Sequence, residues 1–284
     1  MYKISSGGSP PNYLAERSFI MTHPAESHHK ISNAKSVSKT FAILSTFDEN
    51  TPMQRTSDIA AKLNMNISTV SRHLNTMLDC GFLERNDATG FYYLGLEIVA
   101  LAGAALQSND VYRHAFPELQ RLSNKYDVHS HMGVPRMAKV VHLISICCES
   151  TKELLIPMGH CNPMYCSAMG RALLAYMPPA KVQDILKRSD LQKHTPETKV
   201  DPGEINEELI RTRQKGYCLL YNELVESKAS IAAPIFDRDR NPVAAISVSA
   251  SVNRFSQPQL VRELAKAVMT AAGKISGKLG YYPK

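Results

Sequence analysis

The sequence predicts an α+β chain: an N-terminal winged helix-turn-helix, a linker helix, and a C-terminal antiparallel sheet domain with flanking helices. Three observations predict it. Two short amphipathic helical patterns follow one another over residues 56–78 with only a tight turn between them, and a short aromatic hairpin pattern comes next at 82–94. From Val111 onward, strand-like runs arrive in consecutive groups separated by a group of helices, the order of an antiparallel sheet rather than of alternating parallel units. The 284 residues allow about two domains, and 44% apolar content is enough for two cores.

Residues 1–34 are rich in Ser, Pro, Gly and His and lack the apolar stretch of a signal peptide, so they read as a disordered tail; Met21 could serve as an alternative start. Residues 35–95 form the first domain. Val37, Phe41, Ile43, Leu44 and Phe47 supply a helix that packs on the next two. Ile59, Ala60 and Leu63, then Ile67, Val70, Leu74 and Leu78, fall at helical spacing. Off that second stripe stand Ser68, Thr69, Ser71, Arg72, Asn75 and Thr76. A solvated face normally carries Lys and Glu, whereas short hydrogen-bonding side chains with one Arg suit base edges and phosphates. This is the pattern of a recognition helix. Residues 82–85 and 91–94 read as two strands joined by a turn at 86–90, with Gly90 free to take positive φ. Such a wing would bring Asn86 and Thr89 to the DNA backbone. A plain three-helix bundle that binds nothing would need neither the polar face nor the hairpin.

Charge does not make this argument. The net charge is +7, yet residues 35–94 carry six basic residues (Lys35, Lys39, Arg55, Lys62, Arg72, Arg85) against six acidic ones (Asp48, Glu49, Asp58, Asp79, Glu84, Asp87). Attraction to phosphates must come from how the charges are arranged and from two copies on one duplex.

Residues 96–110 read as a linker and dimerisation helix. One side is apolar, and Ala102, Gly103, Ala104 and Ala105 would let another helix approach closely; an ordinary buried helix is the alternative. Residues 111–284 form the second domain. A helix at 112–126 containing Pro117 precedes strands at 128–134, 140–146 and 153–157. Helices follow at 167–177, 180–188 and 203–215, strands at 217–221, 230–236 and 243–250, and a closing helix at 257–279.

Chemistry-bearing residues are sparse. Ser167 would cap a helix whose open N–H groups suit a carboxylate. Ser247 and Ser249 alternate with Ile246 and Val248, so both hydroxyls share one strand face, either in a pocket or simply solvated. His129 and His131 share a face, and His160-Cys161 lies near Cys166, but no C-x2-C pair fixes four ligands, so neither metal nor cofactor is expected. The six cysteines fall mostly in apolar segments, as reduced, buried thiols of a cytoplasmic protein would. No apolar run approaches the length of a membrane helix. Cys166 at a helix start could be a low-pKa nucleophile or redox sensor. No base accompanies it, so no catalytic residue is assigned and a cysteine-dependent enzyme is the alternative.

Several motifs in order resemble the IclR family of bacterial transcriptional regulators, from Lys35 to Gly280. They are Ser68-Thr69-Val70-Ser71-Arg72-His73-Leu74, Phe91-Tyr92-Tyr93-Leu94-Gly95, Cys166-Ser167-Ala168-Met169-Gly170-Arg171-Ala172-Leu173-Leu174-Ala175, Gly216-Tyr217, Glu223, the run Ser230 to Asp237, and Ala244 to Ser249. The resemblance implies a GAF-like C-terminal domain that binds a small effector, and assembly as homodimers or homotetramers. It implies pocket positions at Leu154, Asn162, Ala168, Met169, Leu220, Ser230, Ser247 and Ser249, to which Tyr165 and Ser167 are added from their place beside the helix start. The chain departs from the family pattern at Tyr165, where His is frequent, at Leu220, where an acidic residue is common, at Asn222-Glu223, and at Arg171 in place of Lys. Losing an acceptor at Leu220 while gaining Tyr165 suggests an aromatic or alicyclic carboxylate. The expected function is a regulator, repressor or activator, that reads an inverted repeat in double-stranded operator DNA and responds to a small organic acid.

Overall fold

The computed structural model describes residues 34–148, 150 and 156–282. The predicted tail at 1–34 lies outside the described residues up to position 33. The chain divides into two compact units, with the seam between Leu101 and Ala102.

In the first unit, helices α1 (Lys35–Leu44), α2 (Thr56–Leu63) and α3 (Ile67–Asp79) precede a hairpin of β1 (Leu83–Arg85) and β2 (Tyr92–Leu94). Ile43, Phe47, Ile59, Ala60, Val70, Leu74, Met77, Leu83 and Tyr92 make its core. The expected stripe is corrected at several points. Val37 and Phe41 of α1 are exposed, as is Ile67 in the first turn of α3, while Met77 takes a buried seat. A helix packed on one side buries only the arc facing its neighbours, and α1 ends before it can bury both apolar flanks. Asn64 closes α2 in the left-handed region at φ 50°, and the Met65 N–H reaches back to the Ala60 carbonyl. That one reversal sets the direction of α3.

Helix α4 (Leu96–Gln107) buries none of its residues; Leu96, Val99 and Leu101 are exposed. The alternative of an ordinary buried helix therefore fails within a single chain.

The second unit begins with α5 (Asp110–Tyr126), capped by Asn109, whose side chain accepts from the Tyr112 N–H. Strands β3 (His129–Arg136), β4 (Lys139–Ile146) and β5 (Cys161–Pro163) are followed by helices α6 (Ala168–Leu174), α7 (Pro179–Arg188) and α8 (Pro202–Lys215). Next come β6 (Cys218–Tyr221), β7 (Lys228–Phe236), β8 (Pro242–Ser251) and α9 (Pro258–Lys278). The strands form one six-stranded antiparallel sheet in the order β5-β4-β3-β8-β7-β6. Of the strand expected at 153–157, residues 153–155 lie outside the described residues, and Ile156 and Pro157 are irregular. The short β5, which no run of branched residues announces, takes the sheet edge beside β4.

Alternation along the strands feeds two cores. Met132, Ile144, Ile231, Ile235, Ile246 and Val248 turn toward α5 and α9. Val140, Ala232 and Ala245 turn the other way, toward α6, α7 and α8. The helices thus cover both faces. On the α6 side the fit is close: a Cβ added at Gly170 would stand 2.3 Å from the Met164 backbone, and one at Gly133 would stand 2.4 Å from Val140. Only glycine lets the segment before α6 lie against the helix at that distance.

Candidate functional site

Helix α3 presents Ser68, Arg72, Asn75 and Thr76 to solvent, with Thr69 and Ser71 half-buried on the flanks of that face. Thr76 Oγ1 donates back to the Arg72 carbonyl, and His73 Nδ1 shares a 2.9 Å hydrogen bond with Thr40, which ties α3 to α1. The helix is held from behind while its polar face stays open.

Beside it, β1 and β2 pair in register from Leu83–Leu94 to Arg85–Tyr92, and Gln54 adds a bridge to Tyr92. In the turn, Asn86 Oδ1 accepts from the N–H groups of Ala88 and Thr89, and Gly90 takes φ +73°. Asn86 therefore has a structural use: its oxygen shapes the wing, and the residue stays exposed. Thr89 stays exposed at the tip.

Two cations missed by sequence reasoning stand at the wing. The Arg55 guanidinium lies 4.7 Å from the centre of the Phe91 ring and that of Arg85 5.5 Å from the Tyr92 ring. A cation held on a ring face keeps its outward N–H groups free. The pairing of Arg55 with Phe91 spans the fold, so local pattern gave no hint of it.

In the second unit, seven of the ten expected effector residues share the α6 side of the sheet. Register aligns Leu220, Ser230, Ser249 and His129 across four strands; in the next row stand Ala232, Ser247, His131 and Ser145. Asn162 joins from β5 by bonding His142. Met169 reaches within 3.4 Å of a Cβ placed on Gly133, next to Ala168 at the start of α6. Ser247 is buried, and Ser230 and Ser249 are half-buried, so none of the three lies on a fully solvated face.

Two expected residues have other uses, and a third is not among the described ones. Leu154 lies outside the described residues. The Tyr165 hydroxyl donates to the Gln192 carbonyl at 2.6 Å, with its ring tilted toward His194. Ser167 caps α6, accepting from the Gly170 N–H and donating to the Pro163 carbonyl. With α6 only seven residues long, an anion site on its N-terminus does not stand alone.

Sequence reasoning also missed what fills this face. The rings of His129, His131, His142 and His160 follow one another at centroid spacings of 6.4, 5.6 and 5.7 Å. His131 bonds Ser145 through Nδ1 and Ser249 through Nε2, both at 3.1 Å. Burial, with His142 and His129 adding to it, holds His131 well below the ordinary imidazole range; burial and His160 bring His142 down to about 4. Both rings are neutral near pH 7. His129 and His131, noted in the sequence for a shared face, foreshadowed half of this row. Among the described residues, no group of three or more His, Cys, Asp or Glu is arranged to hold a metal.

Arg171 and Glu223 are both buried and pair through two bonds of 2.6 and 2.5 Å, with Arg171 Nε donating to the Tyr165 carbonyl. This fork fixes α6 to the segment after β6 and leaves no charge free for a ligand. Cys166 is fully buried, and burial pushes its thiol up to about 12. A thiol that stays protonated in the physiological range is no nucleophile, so the cysteine-enzyme alternative is corrected. The expectation of mostly buried thiols holds for Cys148, Cys166 and Cys218, while Cys80 is exposed and Cys147 and Cys161 are half-buried.

A winged helix-turn-helix joined to a ligand-type sheet domain defines a DNA-binding regulator rather than an enzyme. Residues 36–87 match the IclR helix-turn-helix domain, and residues 103–277 match the bacterial transcriptional regulator IclR C-terminal domain. The chain is 30% identical over 250 residues to the HTH-type transcriptional regulator KdgR of Escherichia coli, covering 88% of this chain and 94% of that one. It is 31% identical over 225 residues to the glycerol operon regulatory protein of Streptomyces coelicolor, covering 79% and 88%. The crystal structure of the Thermotoga maritima IclR superposes with a TM-score of 0.68 at 25% identity, covering 87% of this chain and 99% of that one. A transcriptional regulator from Rhodococcus superposes with a TM-score of 0.76 at 27% identity, covering 86% and 97%. The chain belongs to the IclR family of transcriptional regulators, with a C-terminal effector-binding domain. Among the described residues, no helix is long and apolar enough to cross a membrane.

Proposed function

We propose that the protein is a cytoplasmic regulator that reads an inverted repeat in operator DNA as a homodimer or homotetramer and is switched by a small carboxylate. The open polar face of α3 beside the wing carries this reading. Ser68, Thr69, Ser71, Arg72 and Asn75 enter the major groove, and Asn86, through its amide N–H groups, and Thr89 approach the adjacent backbone. Arg55 and Arg85 supply phosphate contacts that the neutral net charge of the domain does not provide by itself. Two copies place two recognition helices one turn of DNA apart, which an inverted repeat matches.

The effector occupies the α6 side of the sheet. Its carboxylate meets the hydroxyls of Ser230, Ser247 and Ser249, and its body lies on Leu220, Ala168 and Met169. That apolar floor favours an aromatic or alicyclic acid, and Tyr165 acts from behind the lining, because its hydroxyl is already taken. The acid changes operator affinity only as far as it prefers one arrangement of the dimer over another. DNase footprinting of the region upstream of the protein's own gene tests the first half: a protected palindrome is expected, and unprotected sequence refutes it. Titration with benzoate, cyclohexanecarboxylate and pyruvate tests the second. The cyclic acids should raise the melting temperature more, and preference for pyruvate refutes the aromatic or alicyclic assignment.

A further inference from the structure

On the reading that the α6 side of the sheet holds the effector, we propose that His142 selects it, through a buried Nδ1–H preset as donor to one carboxylate oxygen. The His142 ring is 2% exposed and stacks edge-on between His131 and His160. Asn162 Nδ2 donates to His142 Nε2 at 2.9 Å, while Asn162 Oδ1 accepts from His160 Nε2 at 3.0 Å. A ring nitrogen that accepts a hydrogen bond carries no proton, so the neutral ring holds its proton on Nδ1. That atom is buried and has no hydrogen-bond partner among the described residues.

A buried donor without an acceptor is costly, and native interiors keep few of them; those at binding sites await a ligand atom. Register carries His142 onto the face that bears Ser247 and Ser249. It pairs with Gly133, Gly133 pairs with Ala245, and the neighbouring row joins His131 to Ser247. The groups facing it are His131 and Gly133 from β3, Asn162 and His160 from β5 and the turn before it, and Met169 from α6 near Gly133. None is a carboxylate, and the one buried cation nearby on α6, Arg171, is closed on Glu223. The array therefore sets no carboxylate beside the Nδ1 donor to compete with a ligand oxygen. An ammonium or amidinium ligand would meet a donor head-on, whereas an oxygen acceptor completes the chain from His160 through Asn162 and His142. An ionised carboxylate is the strongest such acceptor.

The test compares H142N, H142Q and H142F with the unaltered protein, using isothermal titration with benzoate, cyclohexanecarboxylate and pyruvate, and benzylamine as the cationic control. The asparagine amide nitrogen stands where Nδ1 stood, so H142N should keep the affinity of the best acid within about threefold. H142Q, whose amide sits where Nε2 stood, and H142F should lose about tenfold or more, the effect of one charge-assisted bond. Benzylamine should not bind. Nitrogen NMR should show a protonated, pyrrole-type Nδ1 in His142 of the unaltered protein. Should H142F not fold, the contrast between asparagine and glutamine decides alone. Equal acid affinity across the variants, or a pyridine-type Nδ1, overturns the role of His142 and leaves the effector reading standing. If none of the acids binds the unaltered protein, the effector reading falls, and this inference with it.

Discussion

At the residue scale, Arg72 bears most directly on the proposed DNA contact. It is the sole cation on the polar face of α3, open to solvent, and so best placed to reach a guanine or a phosphate. Arg72→Ala should weaken specific operator binding by about 1–3 kcal/mol, measured by fluorescence anisotropy, with little change in melting temperature. Cys166 makes the opposite kind of statement. Fully buried and with its thiol near 12, it should resist iodoacetamide at pH 7.5 in the folded protein and react once denaturant is added, as peptide mapping would reveal. Glu223 is the buried partner of Arg171, and Glu223→Ala would strand a guanidinium inside the domain. About 3–5 kcal/mol of stability should be lost, read from chemical denaturation. The imidazoles add a dependence on pH. His131 and His142 have folded pKa values below the unfolded value near 6.5, so the unfolded chain binds more protons as the medium is acidified. Their contribution is fully present above about pH 6.5 and is lost as pH falls toward about 4. Melting temperature should drop between pH 7 and pH 5, and drop less in His142→Gln.

Elements were legible wherever periodicity and punctuation agreed. The two helices of the helix-turn-helix, the wing, and strands β3, β4, β7 and β8 all show either the helical or the alternating period together with a turn signal. The short β5 could not be found that way. Cys161, Asn162 and Pro163 have poor strand propensity, and they pair only because the β4 edge is there to receive them. The cap at Ser167 marks the start of α6, which ends at Leu174 rather than at the expected 177, but the sequence carries no sign of its closeness to the preceding segment. Gly170 carries no signal in the sequence of the tight approach it makes, yet a Cβ there would meet the Met164 backbone. Gly170→Ala should force α6 outward and cost several kcal/mol, roughly the penalty of overpacking a tight core, visible as a large fall in melting temperature. Asn86 teaches the same lesson from the wing. Its residue type suits a phosphate contact and a turn equally well, and the bonds to Ala88 and Thr89 show that its oxygen serves the turn.

At the scale of the whole molecule, α4 is the helix through which the proposed homodimer would pair. Twelve residues of helix, rich in Leu, Val and Ala, bury nothing within the chain. Apolar helices of this kind are normally covered, and under the proposed homodimer a second α4 is the simplest cover. Val99→Glu with Leu101→Glu should shift the protein toward monomer in sedimentation velocity. Operator affinity should fall much more than affinity for a single half-site; unchanged mass would remove the pairing helix from the account.

The sequence by itself determined what depends on local period and residue type: the class of fold, the recognition helix, strands β3, β4, β7 and β8, and the serines that share one face. Those features rest on contacts between near neighbours in the chain, which a linear pattern records directly. Tertiary structure alone decided the row of imidazoles, the Arg171–Glu223 fork, the stacking of Arg55 on Phe91, and the burial that keeps Cys166 protonated. Each joins residues far apart in sequence, and proton affinity or a free hydrogen-bonding atom is a property of surroundings rather than of residue type.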